Sequence, residues 1–243
     1  MNAIQTSLQG KVAIVTGVSH DGQVGQAVAK VLAERGAALA ICARGQGNVG
    51  ARAAELRQAG ARVIAMAASL TDEAQVGQLI DGTLKEYNRI DILVNLAGGL
   101  TRYKPAVEHS LDDWTSELNN NLLSAFLTSR AAFPHMRTAG GGVIINFARA
   151  GQPQANMVAY NCAKAGIEAL TRTFALEGRD AGIRVNAVAP GLVDTASNIA
   201  AMKPQDLKRW TKREDIAETV VFLASPATAG ITGQVIAVTG WGL

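Results

Sequence analysis

Lys11-Val12-Ala13-Ile14-Val15-Thr16-Gly17-Val18-Ser19-His20-Asp21-Gly22-Gln23-Val24-Gly25 is the stretch whose reading decides the fold. Lys11 to Thr16 is a short run rich in Val and Ile, the pattern of a strand buried on both faces. It passes through glycines into a segment with apolar residues at Ala27, Val28, Val31 and Leu32, which predicts a helix stopped at Gly36. Strand, glycine turn and helix in that order make a candidate nucleotide loop. Gly17 allows the tight turn, Gly22 lets a ligand approach the backbone, and Gly25 lets the helix pack closely on the strand. Ser19 and Val24 lie in the same loop, and the helix N-terminus faces the phosphates. The spacing departs from G-x-G-x-x-G, so the flanking elements carry the argument rather than the pattern itself. His20 reads as a solvated loop residue.

Beyond this unit, strand and helix keep alternating. Strands are expected at Ala38–Ala43, Arg62–Ala67, Asp91–Asn95, Gly142–Phe147, Ile183–Ala189 and Gln234–Val238. Helices are expected at 50–60, at 71–87 with Thr71 or Asp72 as N-cap, at 111–136 and at 215–223. Alternation of this kind argues for an α/β fold, a doubly wound parallel sheet with helices on both faces, built as a single domain over residues 1–243. Residues 196–211 are polar and mixed and suit a short lid over a substrate. Arg44 follows the second strand with no acid nearby. In a dinucleotide fold, that arginine accommodates a ribose 2′-phosphate and favours NADP(H) over NAD(H). The 111–136 helix contains Asn119-Asn120-Asn121, which is costly by propensity and predicts a local bulge.

The bulk numbers narrow the function. The 243 residues are 48% hydrophobic and 18% charged, with net charge +3, enough apolar material for a full core. The absence of a Lys/Arg block speaks against nucleic acid and membrane partners. The two cysteines, Cys42 and Cys162, show neither metal-ligand spacing nor a disulfide framework, so no metal is expected. A reducing, cytoplasmic compartment is the expectation, since MNAIQTSLQGK lacks an apolar signal core.

Chemistry gathers in Tyr160-Asn161-Cys162-Ala163-Lys164. On a helix, Tyr160 and Lys164 share a face one turn apart. An ammonium beside the phenol favours phenolate, so the Tyr160 pKa is expected to fall from about 10 toward neutrality. That suits a proton donor to a carbonyl under reduction, or a base for an alcohol under oxidation. The loop Pro190-Gly191-Leu192-Val193-Asp194-Thr195 leaves a strand at the edge where ligands bind in open α/β sheets.

Together these segments resemble the short-chain dehydrogenase/reductase family along nearly the whole chain. Thr16-Gly17 with Gly22 and Gly25 is similar to its cofactor loop, and Asn95-Leu96-Ala97-Gly98 to its N-N-A-G motif. Asn121-Leu122-Leu123-Ser124 is similar to the segment with its active-site Asn, Tyr160 and Lys164 to its Y-x-x-x-K, and Pro190-Gly191 with Thr195 to its P-G-x-x-x-T. The resemblance implies a Rossmann-type sheet of about seven strands. It implies a small-molecule carbonyl or alcohol substrate and a homo-oligomer, dimer or tetramer. It assigns Tyr160 as acid/base, Lys164 to its pKa and the nicotinamide ribose, and Asn121 to a proton-relay water. Gly17, Ser19, Gly22, Val24, Gly25, Arg44, Asn95, Ala97, Gly98, Pro190, Gly191, Val193 and Thr195 would join Tyr160 and Lys164 around the cofactor.

The chain departs from that pattern in four places. The serine that normally precedes the tyrosine is absent: Ala148 or Arg149 stands there, so a hydrogen-bond donor to the substrate oxygen is missing or replaced. Losing such a donor costs on the order of 10²–10³ in rate. The glycine loop is long, nearer the enoyl-reductase branch. Ser69 stands where an acid near the adenine is usual, and the lid is short, with Gly230 before Ile231-Thr232-Gly233. Three readings follow: an NADP(H)-dependent ketone or 3-oxoacyl reductase, an enoyl reductase-like enzyme, and a catalytically impaired dinucleotide-binding protein.

Overall fold

Strand β1 (Val12–Thr16) is buried at every position, as its unbroken apolar run requires. The computed structural model describes residues 6–242. On either side of β1 lie β2 (Ala38–Ala43) and β4 (Ile92–Asn95), with Ile14 opposite Ala40 and Leu93. Beyond them come β3 (Val63–Ala67) on one flank and β5 (Gly142–Phe147), β6 (Ile183–Pro190) and β7 (Val235–Val238) on the other. The order β3-β2-β1-β4-β5-β6-β7, parallel throughout, is the doubly wound arrangement expected from the alternating elements.

Helices cover both faces. In chain order they are α1 (Val24–Glu34), α2 (Gln46–Gln58), α3 (Glu73–Tyr87), α4 (Leu111–Leu118), α5 (Ser124–Thr138), α6 (Val158–Gly178), α7 (Ala196–Met202) and α8 (Arg213–Ala224). Successive strand residues point to opposite faces, and the core divides accordingly. Ala13, Val15, Ile92, Val94, Val143 and Ile145 pack with α1, α2 and α8. Ile14, Leu93 and Ile144 pack with α3, α5 and α6.

The helix ends follow local chemistry. Asp72 caps α3 by accepting from the Ala74 and Gln75 amides, which settles the choice between Thr71 and Asp72. Ser110 and Asp113 form a reciprocal capping box at α4. The expected 111–136 helix is interrupted: Asn119–Leu123 winds as one wider π turn between α4 and α5. That is the bulge the three asparagines predict. Helix α2 starts at Gln46, earlier than expected, because burial of Val49, Ala53 and Leu56 outweighs the poor helix propensity of its glycine-rich first turn.

Candidate active site

Strand order reverses between β1 and β4, and their C-terminal ends open into a cleft of about 510 Å³. Gly17, Ser19, Val24 and Gly25 line it on the loop side, and Ala97 and Gly98 after β4. Gly17 has φ +78°, a left-handed turn, and a Cβ there would lie 2.9 Å from the Ala97 nitrogen. A Cβ on Gly25 would lie 2.4 Å from the Gly17 carbonyl oxygen, so helix and turn meet backbone to backbone. Thr16 Oγ1 completes the corner by accepting from the Leu96 and Ala97 amides at 3.0 and 3.1 Å. Gln23, at the N-cap of α1, supplies no side-chain acceptor, so the first-turn N–H groups stay open to an anion in the cleft that Val24 and Gly25 line. A dinucleotide pyrophosphate fits that donor set. Arg44, Asn48 and Ser69, after β2 and β3, line the same cleft. His20 is exposed, as expected, yet also stands on the rim. Gly22 lies toward the 196–202 segment: its carbonyl accepts from the Ala196 amide at 2.9 Å.

Tyr160 and Lys164 stand in the first turns of α6, beside the end of β5. Lys164 is buried, and its Nζ donates to the Phe147 carbonyl at 2.8 Å. The same Nζ lies 5.5 Å from the centroid of the Tyr160 ring. Burial lowers the Lys164 pKa to about 8, with the Glu117 carboxylate opposing the fall. The expected acidification of Tyr160 is corrected here. Its pKa is raised above the ordinary value, chiefly by burial; the Arg149 guanidinium lowers it and Glu117 raises it further. Lys164 is not among these influences on Tyr160, and desolvation of the phenol dominates.

The two candidates for the absent serine separate cleanly. Ala148 is buried and packs with Ala125, Ile167, Ala187 and Ala189. Arg149 is half-buried; its Nη1 donates to the Gln152 carbonyl at 2.7 Å, and its charge acts on Tyr160. Of the two, Arg149 is the one whose charge reaches Tyr160.

Asn121 is buried within the π turn. Its Oδ1 accepts from the Gly99 amide at 2.9 Å and its Nδ2 donates to the Gly99 carbonyl at 3.1 Å, so this side chain is a clasp on the chain after β4. Asn95 turns inward: Nδ2 donates to Ser129 Oγ and Asn146 Oδ1, and Oδ1 accepts from Thr128 Oγ1. Pro190, Gly191, Val193 and Thr195 form the exit of β6, where Val193 bridges to Thr211 and Thr195 caps α7. Sequence reasoning missed Asn120, which lines the cleft, and Glu117, whose field reaches both Tyr160 and Lys164. The asparagine run marked the first; nothing in the sequence singled out the second, whose helix also carries Asp112 and Asp113.

Comparison with known proteins agrees with this geometry. A family profile described as Enoyl-(Acyl carrier protein) reductase matches residues 17–241. The chain is 38% identical to cis-4-hydroxycyclohexanecarboxylate dehydrogenase of Sinomonas cyclohexanicum, over 95% of each chain. It is also 38% identical to 3-oxoacyl-[acyl-carrier-protein] reductase of Synechocystis sp., over 97% of this chain and 98% of that one. Among solved structures, a 7α-hydroxysteroid dehydrogenase complexed with NADH and 7-oxo glycochenodeoxycholic acid superposes with TM-score 0.91 at 29% identity, covering 100% of this chain and 98% of the other.

In the free protein the Tyr160 phenol is expected to titrate above the ordinary tyrosine value of about 10. Arg149→Ala should move it higher, by removing the guanidinium that opposes the rise. Ultraviolet difference titration, with Tyr160→Phe as the blank, reads both. A midpoint near neutrality would reinstate acidification by Lys164.

Proposed function

The chain belongs to the short-chain dehydrogenase/reductase family and is an NAD(P)-dependent oxidoreductase, and from that premise we propose that it reduces a ketone or 3-oxoacyl carbonyl, or oxidises the corresponding alcohol, with NADP(H). The observation that carries the reading is a half-buried phenol, Tyr160, placed beside the Lys164 ammonium and within the field of Arg149. When bound, the dinucleotide supplies or accepts hydride. Tyr160 Oη holds the proton that the substrate oxygen gains on reduction, and takes it back on oxidation. Lys164 keeps a positive charge at the foot of that ring and is the residue we assign to the nicotinamide ribose. Arg149 takes the role of the absent hydroxyl and donates to the substrate oxygen. Asn121 anchors the relay that returns a proton to Tyr160, and residues 196–211, in a single domain with the rest, act as lid. A cytoplasmic setting accords with two free cysteines, Cys42 and Cys162. Among the described residues no helix is long and apolar enough to cross a membrane.

Two other readings each have support. The description of the family profile and the long glycine loop favour an enoyl reductase. The burial of Ala148 where a hydroxyl is usual favours impaired turnover. Tested side by side with NADPH, 3-oxoacyl thioesters and cyclic ketones should be reduced and trans-2-enoyl thioesters should not. Tyr160→Phe should abolish reduction while NADPH binding stays within a few-fold. Reduction of the enoyl substrate alone selects the second reading; micromolar NADPH binding without oxidation on any carbonyl selects the third.

Arg44 is exposed at the end of β2 and lines the cleft. An arginine–phosphate contact is worth about 1.5–3 kcal/mol, so NADPH should bind at least about tenfold more tightly than NADH. Arg44→Ala should remove the difference. Equal affinities in the unaltered protein would refute the role of Arg44.

We also propose a homo-oligomer. A second concavity, of about 810 Å³, lies between α4–α5 and α6 and is lined by Leu118, Leu122, Phe126, Phe133, Leu170 and Phe174. An apolar surface of this extent suits a subunit contact better than open solvent. Light scattering should give the mass of a dimer or tetramer, and Phe126→Glu should shift it toward the monomer. A monomeric native chain at micromolar concentration would overturn this.

A further inference from the structure

Glu117 is fully buried. It lies on α4, one turn before Asn121. A buried acid is costly unless every lone pair it presents is met by a donor. Here the donors are present. Oε1 accepts from the Thr101 amide, the Thr101 hydroxyl and the Arg102 amide at 2.5, 2.6 and 2.7 Å. Oε2 accepts from Asn121 Nδ2 at 3.1 Å. All of these partners donate, so the group is used as an acceptor at both oxygens.

The same carboxylate is the negative charge felt at the reacting pair. Around Lys164 stand the Phe147 carbonyl from β5, the Tyr160 ring from its own helix and Glu117 from α4. Around Tyr160 stand Arg149 from the loop after β5 and Glu117 from α4. An ammonium so deeply buried sheds its proton readily unless an opposite charge is near. Glu117 meets that need while gripping the chain after β4.

We propose that Glu117 is a positioning residue for hydride transfer: its buried carboxylate locks Asn121 and the 99–102 segment in place and is the counter-charge that keeps Lys164 an ammonium beside Tyr160. Glutamine at this site is not equivalent. Its oxygen replaces Oε1, but its amide nitrogen then faces Asn121 Nδ2, donor to donor. Turning the Asn121 amide to meet it sets Nδ2 against the Gly99 amide.

The inference rests on reading Tyr160 and Lys164 as the reacting pair, and its test runs without substrate. In protein labelled with ¹³C at the lysine ε-carbon, with the Lys164 signal assigned from Lys164→Arg, the Lys164 midpoint is followed against pH. Glu117→Gln should lower it by about one pH unit or more. Glu117→Asp, which keeps the charge, should restore most of the shift. Should the glutamine variant not fold, Glu117→Met, near in volume and free of the misplaced donor, reads the same midpoint. With turnover in hand there is a second readout. Glu117 raises the proton affinity of both Lys164 and Tyr160, so its removal should carry the basic limb of kcat/KM for reduction to lower pH. A purely structural residue would lower kcat or thermal stability and leave that limb in place. A Lys164 midpoint unchanged in a folded neutral variant overturns the proposal. Absence of any turnover in the unaltered enzyme defeats the ketone-reductase reading instead, while the lysine titration still decides the role of Glu117.

Discussion

The bond from Lys164 Nζ to the Phe147 carbonyl ties the chemistry to the sheet. The carbonyl belongs to the last residue of β5, so it is a strand-end acceptor that the ladder leaves for a side chain. Lys164 fills it, and this sets the height of α6 along the strand and with it the height of Tyr160, one turn earlier. The ammonium has further hydrogens to donate, and little else in the protein takes them. A buried cation held by one carbonyl is close to neutralisation. Its surroundings therefore have to hold charge in balance, and Glu117 and Arg149 are charges that act on the pair.

Most of the fold could be read from the chain because its central strands are buried on both faces, while β3 and β7 at the edges are partly exposed. Ala38–Ala43 is apolar without interruption, and its limits in sequence and structure coincide. Gly142–Phe147 behaves likewise. Helix limits were harder. The first turn of α2, from Gln46 through Gly47 and Asn48, is one that local preference places outside a helix, and only packing of Val49 against the sheet pulls it in. The break after Leu118 was visible as a cluster of asparagines, since their amides need partners that a regular helix denies them.

The site was legible where chemistry demands particular residue types at a fixed spacing. Tyr160 with Lys164, and Gly17 with Gly25, fall in this class. It was less legible where the answer depends on direction. Whether Ala148 or Arg149 stands toward the phenol is a question of which way a strand exit turns, and no composition or period records it. The sign of the Tyr160 shift was lost for a related reason. Sequence places a cation nearby, but not the depth at which the ring is desolvated. Glu117 was overlooked because an acid within a helix reads as a solvated face until Thr101 and Arg102, distant along the chain, fold back over it.

The amide of Ala196 binds the carbonyl of Gly22, and Ser197 Oγ donates to Gln23 Oε1 at 3.2 Å. The glycine loop and the first turn of α7 thus meet directly. Loop and helix are two sides of a single seam. A change of length on either side would pull apart the Gly22–Ala196 and Gln23–Ser197 bonds, so neither element can be lengthened or trimmed without shifting the other.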